Sequence, residues 1–239
     1  MSRENLKFKK MKKTMTIFGA IIFASILLTS CGGSSSSVKI GTQEWMGENL
    51  NVTTFKDGSP IPEAKTDAEW TKAGEEQKPA WCYYKTDVED AKEIGKIYNW
   101  YAVNDPRGLA PAGWHVATDS DWEKLIEFAG DEKAAIKLKS KKGWRSKGFL
   151  SSQDVNSNAT NETGFGALTG GGRGPQYALG DLAGWWWSAT EVDDEKAYYF
   201  HMTPNEEGLK DGDEAEKGNE VEKLEYEKWA GMRVRCVKD

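Results

Sequence analysis

The sequence predicts an α+β domain, and three observations predict it. One stretch near the middle, residues 118–129, has a helix-capping pattern followed by helical apolar spacing. Short aromatic and β-branched runs, each bounded by Gly or polar turns, lie on both sides of it. No internal repeat joins these elements, which separates the chain from solenoids and propellers. Eleven Trp in 239 residues, and 25 Gly without a period, argue against a disordered chain and against a collagen-like one. A mean hydropathy of −0.68 excludes a polytopic membrane protein.

Taken in order, the first segment reads as a targeting signal outside the fold. Residues 1–16 carry Arg3, Lys7, Lys9, Lys10, Lys12 and Lys13 against one acid, Glu4. The apolar stretch 17–28 that follows is shorter than the about 20 residues a spanning helix needs. Met11 opens a more compact version of the same signal. Leu28-Thr29-Ser30-Cys31 resembles the bacterial lipobox, which implies a diacylglycerol on Cys31 and removal of residues 1–30. Residues 31–37 form a Gly/Ser tether. Gly32 stands where an inner-membrane retention signal would have an aspartate, so the expected place is the outer membrane or cell surface. Without residues 1–30 there are 26 basic and 37 acidic residues, and the net charge moves from −6 to −11. Such a body is not expected to bind nucleic acid; its membrane contact is the lipid.

Within the body, residues 38–40 and 43–46 form a hairpin with Gly41-Thr42 at its turn. Residues 51–80 are polar and punctuated by Pro60, Pro62 and Pro79, with one helical turn near 67–73. Residues 81–84 and 96–103 are strand-like. Thr118 and Asp121 make a capping box. Trp122, Leu125, Ile126 and Ala129 then fall at i, i+3, i+4 and i+7, and Gly130 ends the helix. Asp131 starts a second short helix carrying Ala135, Ile136 and Leu138. Residues 143–184 are rich in Gly, Ser and Asn and predict tightly turned loops. Strands are expected at 185–190, 197–203 and 232–237. In the last, Met232, Val234 and Cys236 share one face and Arg233 and Arg235 the other. The charged run 205–228 reads as a solvated insertion.

Five segments, in order, resemble the Fibrobacter succinogenes major paralogous domain. They are Gly41-Thr42-Gln43-Glu44-Trp45-Met46-Gly47-Glu48-Asn49-Leu50-Asn51, Gly95-Lys96-Ile97-Tyr98-Asn99-Trp100-Tyr101-Ala102-Val103, and Gly113-Trp114-His115-Val116-Ala117-Thr118 with Asp121-Trp122. Gly184-Trp185-Trp186-Trp187-Ser188-Ala189-Thr190-Glu191 and Val234-Arg235-Cys236-Val237-Lys238-Asp239 complete the set. The resemblance covers residues 38–239 and implies a secreted or lipid-anchored bacterial surface domain without an established biochemical role. More distantly, the Gly-Trp-His block and the closing Gly-Met-Arg-Val-Arg-Cys resemble formylglycine-generating, sulfatase-modifying proteins. That likeness implies a C-type-lectin-like architecture, with two short helices, small antiparallel sheets and long Gly-rich loops.

The candidate sites follow from residue chemistry. With Cys31 acylated, Cys82 and Cys236 remain, and two thiols outside the cytoplasm suggest a disulfide. Formylglycine chemistry needs two neighbouring cysteines, and Cys236 has none beside it. His115 and His201, the only histidines, cannot make a multi-His metal site, and no nucleophile accompanies either. Both read as structural. Asp193-Asp194-Glu195 and Asp211-Gly212-Asp213-Glu214 offer oxygens to calcium without the spacing of a calcium loop. No cofactor is expected, and calcium is the one candidate. Gly170-Gly171-Gly172-Arg173-Gly174 lacks the Lys-Ser/Thr of a phosphate loop. The Trp cluster is the leading ligand site. Alternation sends Trp185 and Trp187 one way and Trp186 the other, so a displayed indole offers a stacking face to a sugar ring or protein partner. Asn158, Asn161, Gln176 and Tyr177 are the expected polar neighbours. The expectation is a non-enzymatic binding or adhesion module, with a scaffold lipoprotein as the alternative and a formylglycine-generating-like enzyme ranked after it.

Overall fold

The computed structural model describes residues 36–84, 94–142, 144, 159–174, 183–204 and 217–239. The signal segment and Cys31 lie outside this set. The N-terminal hairpin forms as expected: Gly41, at φ 59°, reverses the chain between β1 (Ser37–Ile40) and β2 (Gln43–Met46), paired from Ser37↔Met46 to Ile40↔Gln43.

Two helices open on side-chain boxes. Thr66 caps α1 (Asp67–Glu75), its hydroxyl accepting from the Glu69 amide while Glu69 accepts from the Thr66 amide. This helix runs longer than the single turn expected. Strands β3 (Trp81–Cys82) and β4 (Ile97–Asn99) follow, and residues 96–103 are not one strand. The Asn99 carboxamide oxygen accepts from the Ala102 amide and turns the chain into α2 (Trp100–Val103). After β5 (Trp114–Val116), Thr118 and Asp121 form both halves of the predicted box. Helix α3 (Asp119–Ala129) buries Trp122, Leu125 and Ala129 and ends at Gly130, with φ 99°. A 3₁₀ turn (Asp131–Lys133) leads into α4 (Ala134–Leu138). The described residues therefore hold four short helices, two more than expected.

Strands β6 (Gly184–Glu191), β7 (Lys196–Met202) and β8 (Glu222–Glu227) form an antiparallel sheet in that order. The presence of β8 corrects the reading of 205–228 as a solvated insertion. Glu222–Glu227 pairs with β7 from His201↔Glu222 to Lys196↔Glu227. Its charges mark an edge strand, where one row of backbone groups meets solvent. Residues 205–216 lie outside the described set.

The predicted closing strand is split. β9 (Gly231–Met232) pairs with β4 in the sheet β3-β4-β9, and β10 (Cys236–Lys238) lies between β2 and β5 in the sheet β1-β2-β10-β5. Between them Arg233 bridges β6 at Trp186: Trp187 N donates to Arg233 O at 2.9 Å, and Arg233 N donates to Trp185 O at 3.1 Å. The alternation expected for this segment holds. Met232, Val234 and Cys236 enter one core with Tyr98, Trp100 and Trp187. Arg233 and Arg235, on the other side, are almost fully buried. A second core gathers Trp45, Trp122, Trp144, Phe165, Trp186 and Phe200, with Trp122 stacked on Phe200 at 4.8 Å and 15°.

Buried guanidiniums must be hydrogen-bonded throughout. Arg233 donates to Ile94 O, Gly171 O and Gly170 O at 3.2, 2.5 and 2.8 Å. Arg235 donates to Asn49 Oδ1, Met46 O and Gly166 O at 2.8, 2.8 and 3.3 Å. Burial lowers both, Arg233 to about 10 and Arg235 to about 9. A Cβ on Gly170 would stand 2.4 Å from an Arg233 nitrogen, so this part of the Gly-rich run is glycine because the guanidinium lies against its backbone. Asn49 also accepts from Trp186 Nε1 at 2.8 Å and donates to Ile94 O at 2.7 Å. Replacing it strands buried donors on Arg235 and Trp186 together. Asn49→Ala should lose about 3 kcal/mol of unfolding free energy in reversible denaturation, whereas Phe128→Ser, on an exposed ring, should stay within about 0.5 kcal/mol.

Candidate functional site

The three consecutive tryptophans alternate as expected, but core covers both faces of β6. Trp186 is buried beside Trp122, 6.1 Å between centroids, and donates to Asn49. Trp187 is buried on the opposite side and donates to Tyr98 O at 3.0 Å. Trp100, from α2, closes that side by donating to Ser188 O at 2.9 Å. Trp186 and Trp187 are therefore core residues, which corrects their reading as ligand contacts. Trp185 alone is half-buried, stacked on Tyr199 at 5.3 Å and 25° and lying 4.3 Å from His201. Its Nε1 is buried with no hydrogen-bond partner. The expected neighbours Asn158, Gln176 and Tyr177 lie outside the described residues. Asn161 sits at φ 50° and accepts from the Gly166 amide at 2.9 Å, shaping its own loop.

The disulfide expected between Cys82 and Cys236 is absent: both are free, buried thiols. They lie in different sheets and different cores. Cys82 is among Trp70, Ala80 and Ile97, and Cys236 is among Val116, Met232 and Val234. Burial pushes the Cys82 thiol up, with the Arg173 guanidinium opposing, and pushes Cys236 up to about 12. Alkylation of the oxidised, unreduced chain under denaturing conditions, read by mass, should label both cysteines.

Among the described residues both histidines pair with carboxylates. His115 lies 3.1 Å from Asp121 Oδ2 and 3.0 Å from Asp239 Oδ1, tying the last residue to the cap of α3. His201 pairs with Glu222 at 3.0 Å under the Trp185 ring. Burial lowers the His201 pKa below its ordinary 6.5, with Glu222 opposing and Lys139 contributing. A lowered histidine binds its proton more readily in the unfolded chain, so stability is full above about 6.5 and falls as pH drops from there toward the folded value. Denaturation midpoints measured between pH 7.5 and 5 should show this loss, and His201→Gln should flatten it. Among the described residues no group of three or more His, Cys, Asp or Glu could hold a metal ion. Asp193 Oδ1 instead accepts from the Glu195 and Lys196 amides, both at 2.8 Å, as a turn cap. Residues 211–214 lie outside the described set.

The concave site lies elsewhere. The box at Thr66 sets the phase of α1, placing Asp67, Trp70, Thr71 and Gly74 at i, i+3, i+4 and i+7 on one face. Trp70 turns inward and donates from Nε1 to Trp229 O at 3.1 Å, in the turn between β8 and β9. Arg173 pairs its backbone with Gly231 of β9, two hydrogen bonds of 2.7 Å, which fixes where its side chain starts. Its guanidinium stands 4.8 Å from the Trp70 ring centroid and donates to Asp67 Oδ1 at 2.5 Å. These residues, with Glu75, Gly174 and Trp229, line a pocket of about 290 Å³. The Trp229 ring is followed by Tyr226 and then by the buried Tyr199, with centroid steps of 6.3 Å each. Burial pushes Tyr199 up to about 12, so its hydroxyl stays protonated.

None of these lining residues was expected from the sequence as a site. Two signals were present: a second Thr-x-x-Glu box at Thr66 and Glu69, and Trp70 on the same helical face as Asp67. Fold and pocket together define an α+β domain with a small aromatic-walled cleft. The Fibrobacter succinogenes major domain model matches residues 38–238, and the chain belongs to that family. No curated protein and no solved structure matches it.

Proposed function

We propose that the chain is a non-catalytic, lipid-anchored module of the bacterial envelope that binds a glycan or another surface component in the Trp70–Trp229 pocket. The observation that carries the reading is the half-buried Trp229 indole beside one fixed Arg–Asp pair in a single cleft. Sugar sites combine apolar rings for C–H faces with a few placed polar groups. The anchor is read from Cys31 and the basic, apolar segment before it, and Gly32 after the cysteine supports an outer-membrane or cell-surface position. A C-type-lectin-like arrangement fits the same picture. The N-terminal hairpin and the C-terminal strand share the sheet β1-β2-β10-β5, and connecting segments carry Arg173 and Trp229.

Retention of the full, detergent-solubilised chain on insoluble polysaccharides and isolated envelope material tests this. Trp229→Ala should reduce retention at least about tenfold, a loss of about 1.4 kcal/mol, and Trp185→Ala should leave it unchanged. Loss in Trp185→Ala with Trp229→Ala unaffected would move the site to the face of the β6-β7-β8 sheet. Absence of retention on every material would leave the scaffold lipoprotein as the better reading.

A further inference from the structure

We infer that the pocket selects a neutral pyranose and rejects acidic sugars; the inference rests on the binding function proposed above. Two features carry it. The first is the apolar wall. Trp70, its N–H taken by Trp229 O, is almost wholly buried behind this wall, and the half-buried Trp229 indole gives the surface a ligand would meet. That surface suits the C–H face of a sugar ring and does nothing for a free anion.

The second is the charge of the lining. Arg173 is its one base, against the acids Asp67 and Glu75, so the pocket holds one more acid than base. Arg173 is almost fully buried, while Asp67 is 72% exposed and engages it through Oδ1. An incoming carboxylate would have to displace Asp67 from Arg173 or sit beside it. It carries no hydrogen to donate to Asp67, and its charge is repelled by both acids. Sugar hydroxyls meet the pair without displacing it: they donate to the exposed Asp67 carboxylate, which stays paired with the buried Arg173. Asp67 is then a ligand contact and, at the same time, the group that excludes acidic sugars.

Titration calorimetry of the full chain separates the possibilities, using neutral gluco-, manno-, galacto- and xylo-oligosaccharides and oligouronates of matched length. At least one neutral series should bind, and the oligouronates should not. Asp67→Asn should weaken the neutral ligand about tenfold. Asp67 takes no part in the Thr66–Glu69 box, so α1 keeps its cap in this variant. Thr71→Phe, from an exposed position on α1, should fill the pocket and abolish binding while the unfolding midpoint is retained. Oligouronates binding the native chain, or neutral sugars losing no affinity in Asp67→Asn, would overturn the neutral-sugar inference. The pocket itself would stand if Thr71→Phe abolished that binding. Neutral binding that survives both Thr71→Phe and Trp229→Ala would overturn the site. Failure of every oligosaccharide would overturn the sugar class, and retention of the Thr71→Phe chain on envelope material would then decide the pocket separately.

Discussion

Two guanidinium groups on one extended segment organise this domain. Over eight residues, from β9 through Arg233 and Arg235 to β10, the chain pairs in turn with β4, with β6 and with β2 and β5. All three sheets meet along it. Its inward alternate residues, Met232, Val234 and Cys236, belong to one core. Arg233 and Arg235 on the other side hold the carbonyls of residues 46, 94, 166, 170 and 171. Three of those carbonyls, at residues 166, 170 and 171, belong to segments without regular structure, whose backbone acceptors need partners once buried. A buried arginine supplies five donors in a fixed fork, so each one satisfies several backbone carbonyls at once. Desolvating a guanidinium is costly, and it is offset only while every acceptor stays in place. The loops and the segment therefore hold one another in position.

The aromatic content belongs to the same economy of short elements. Most of the strands are two to four residues long and two of the four helices among the described residues are four or five, so these elements bury little area each. Large rings reaching between elements make the cores contiguous. Trp45, Trp122, Phe165, Trp186 and Phe200 interlock through edge and stacked contacts around α3. Most indole N–H groups are committed to interior acceptors. Trp81 donates to Ile61 O, Trp100 to Ser188 O and Trp144 to Ala167 O. Each of these three indoles thus supplies apolar area and one tertiary hydrogen bond. Several buried lysines act similarly. Lys228 contacts Glu191 and the Asp194 carbonyl with its ammonium 4.7 Å from the Trp100 ring, and Lys96 bonds Asn51 and Tyr83 beside Trp81.

The pocket is supported by this frame. Arg173 is held by the backbone of β9, and Trp229 lies in the turn that feeds β9, so two of its walls are fixed by the organising segment. The third wall, α1, is fixed by its own cap and by the Trp70 hydrogen bond to Trp229. A site assembled this way is pre-organised before any ligand arrives, which lowers the ordering cost of binding.

The sequence by itself determined the elements whose signal is local. The α3 helix is written in Thr118, Asp121, Trp122, Leu125 and Ala129. The first hairpin is written in Gly41-Thr42, and the two-sidedness of Trp185–Trp187 and of residues 232–236 in strand alternation. Each depends on a period of two or 3.6 residues and on a cap or turn beside it. The five ordered motifs likewise identified the family. Only the tertiary structure decided which indoles meet solvent, because alternation assigns a side and says nothing of what covers it. Trp186 is covered by Trp122 and Trp187 by Trp100, elements far away in the chain. It also decided that one terminal strand is shared by three sheets, that Cys82 and Cys236 stay apart, and that Trp70 and Trp229 meet across 159 positions. Long-range burial is a property of the assembled core, and no local pattern in Asp67, Arg173 or Trp229 records that the three face one cleft.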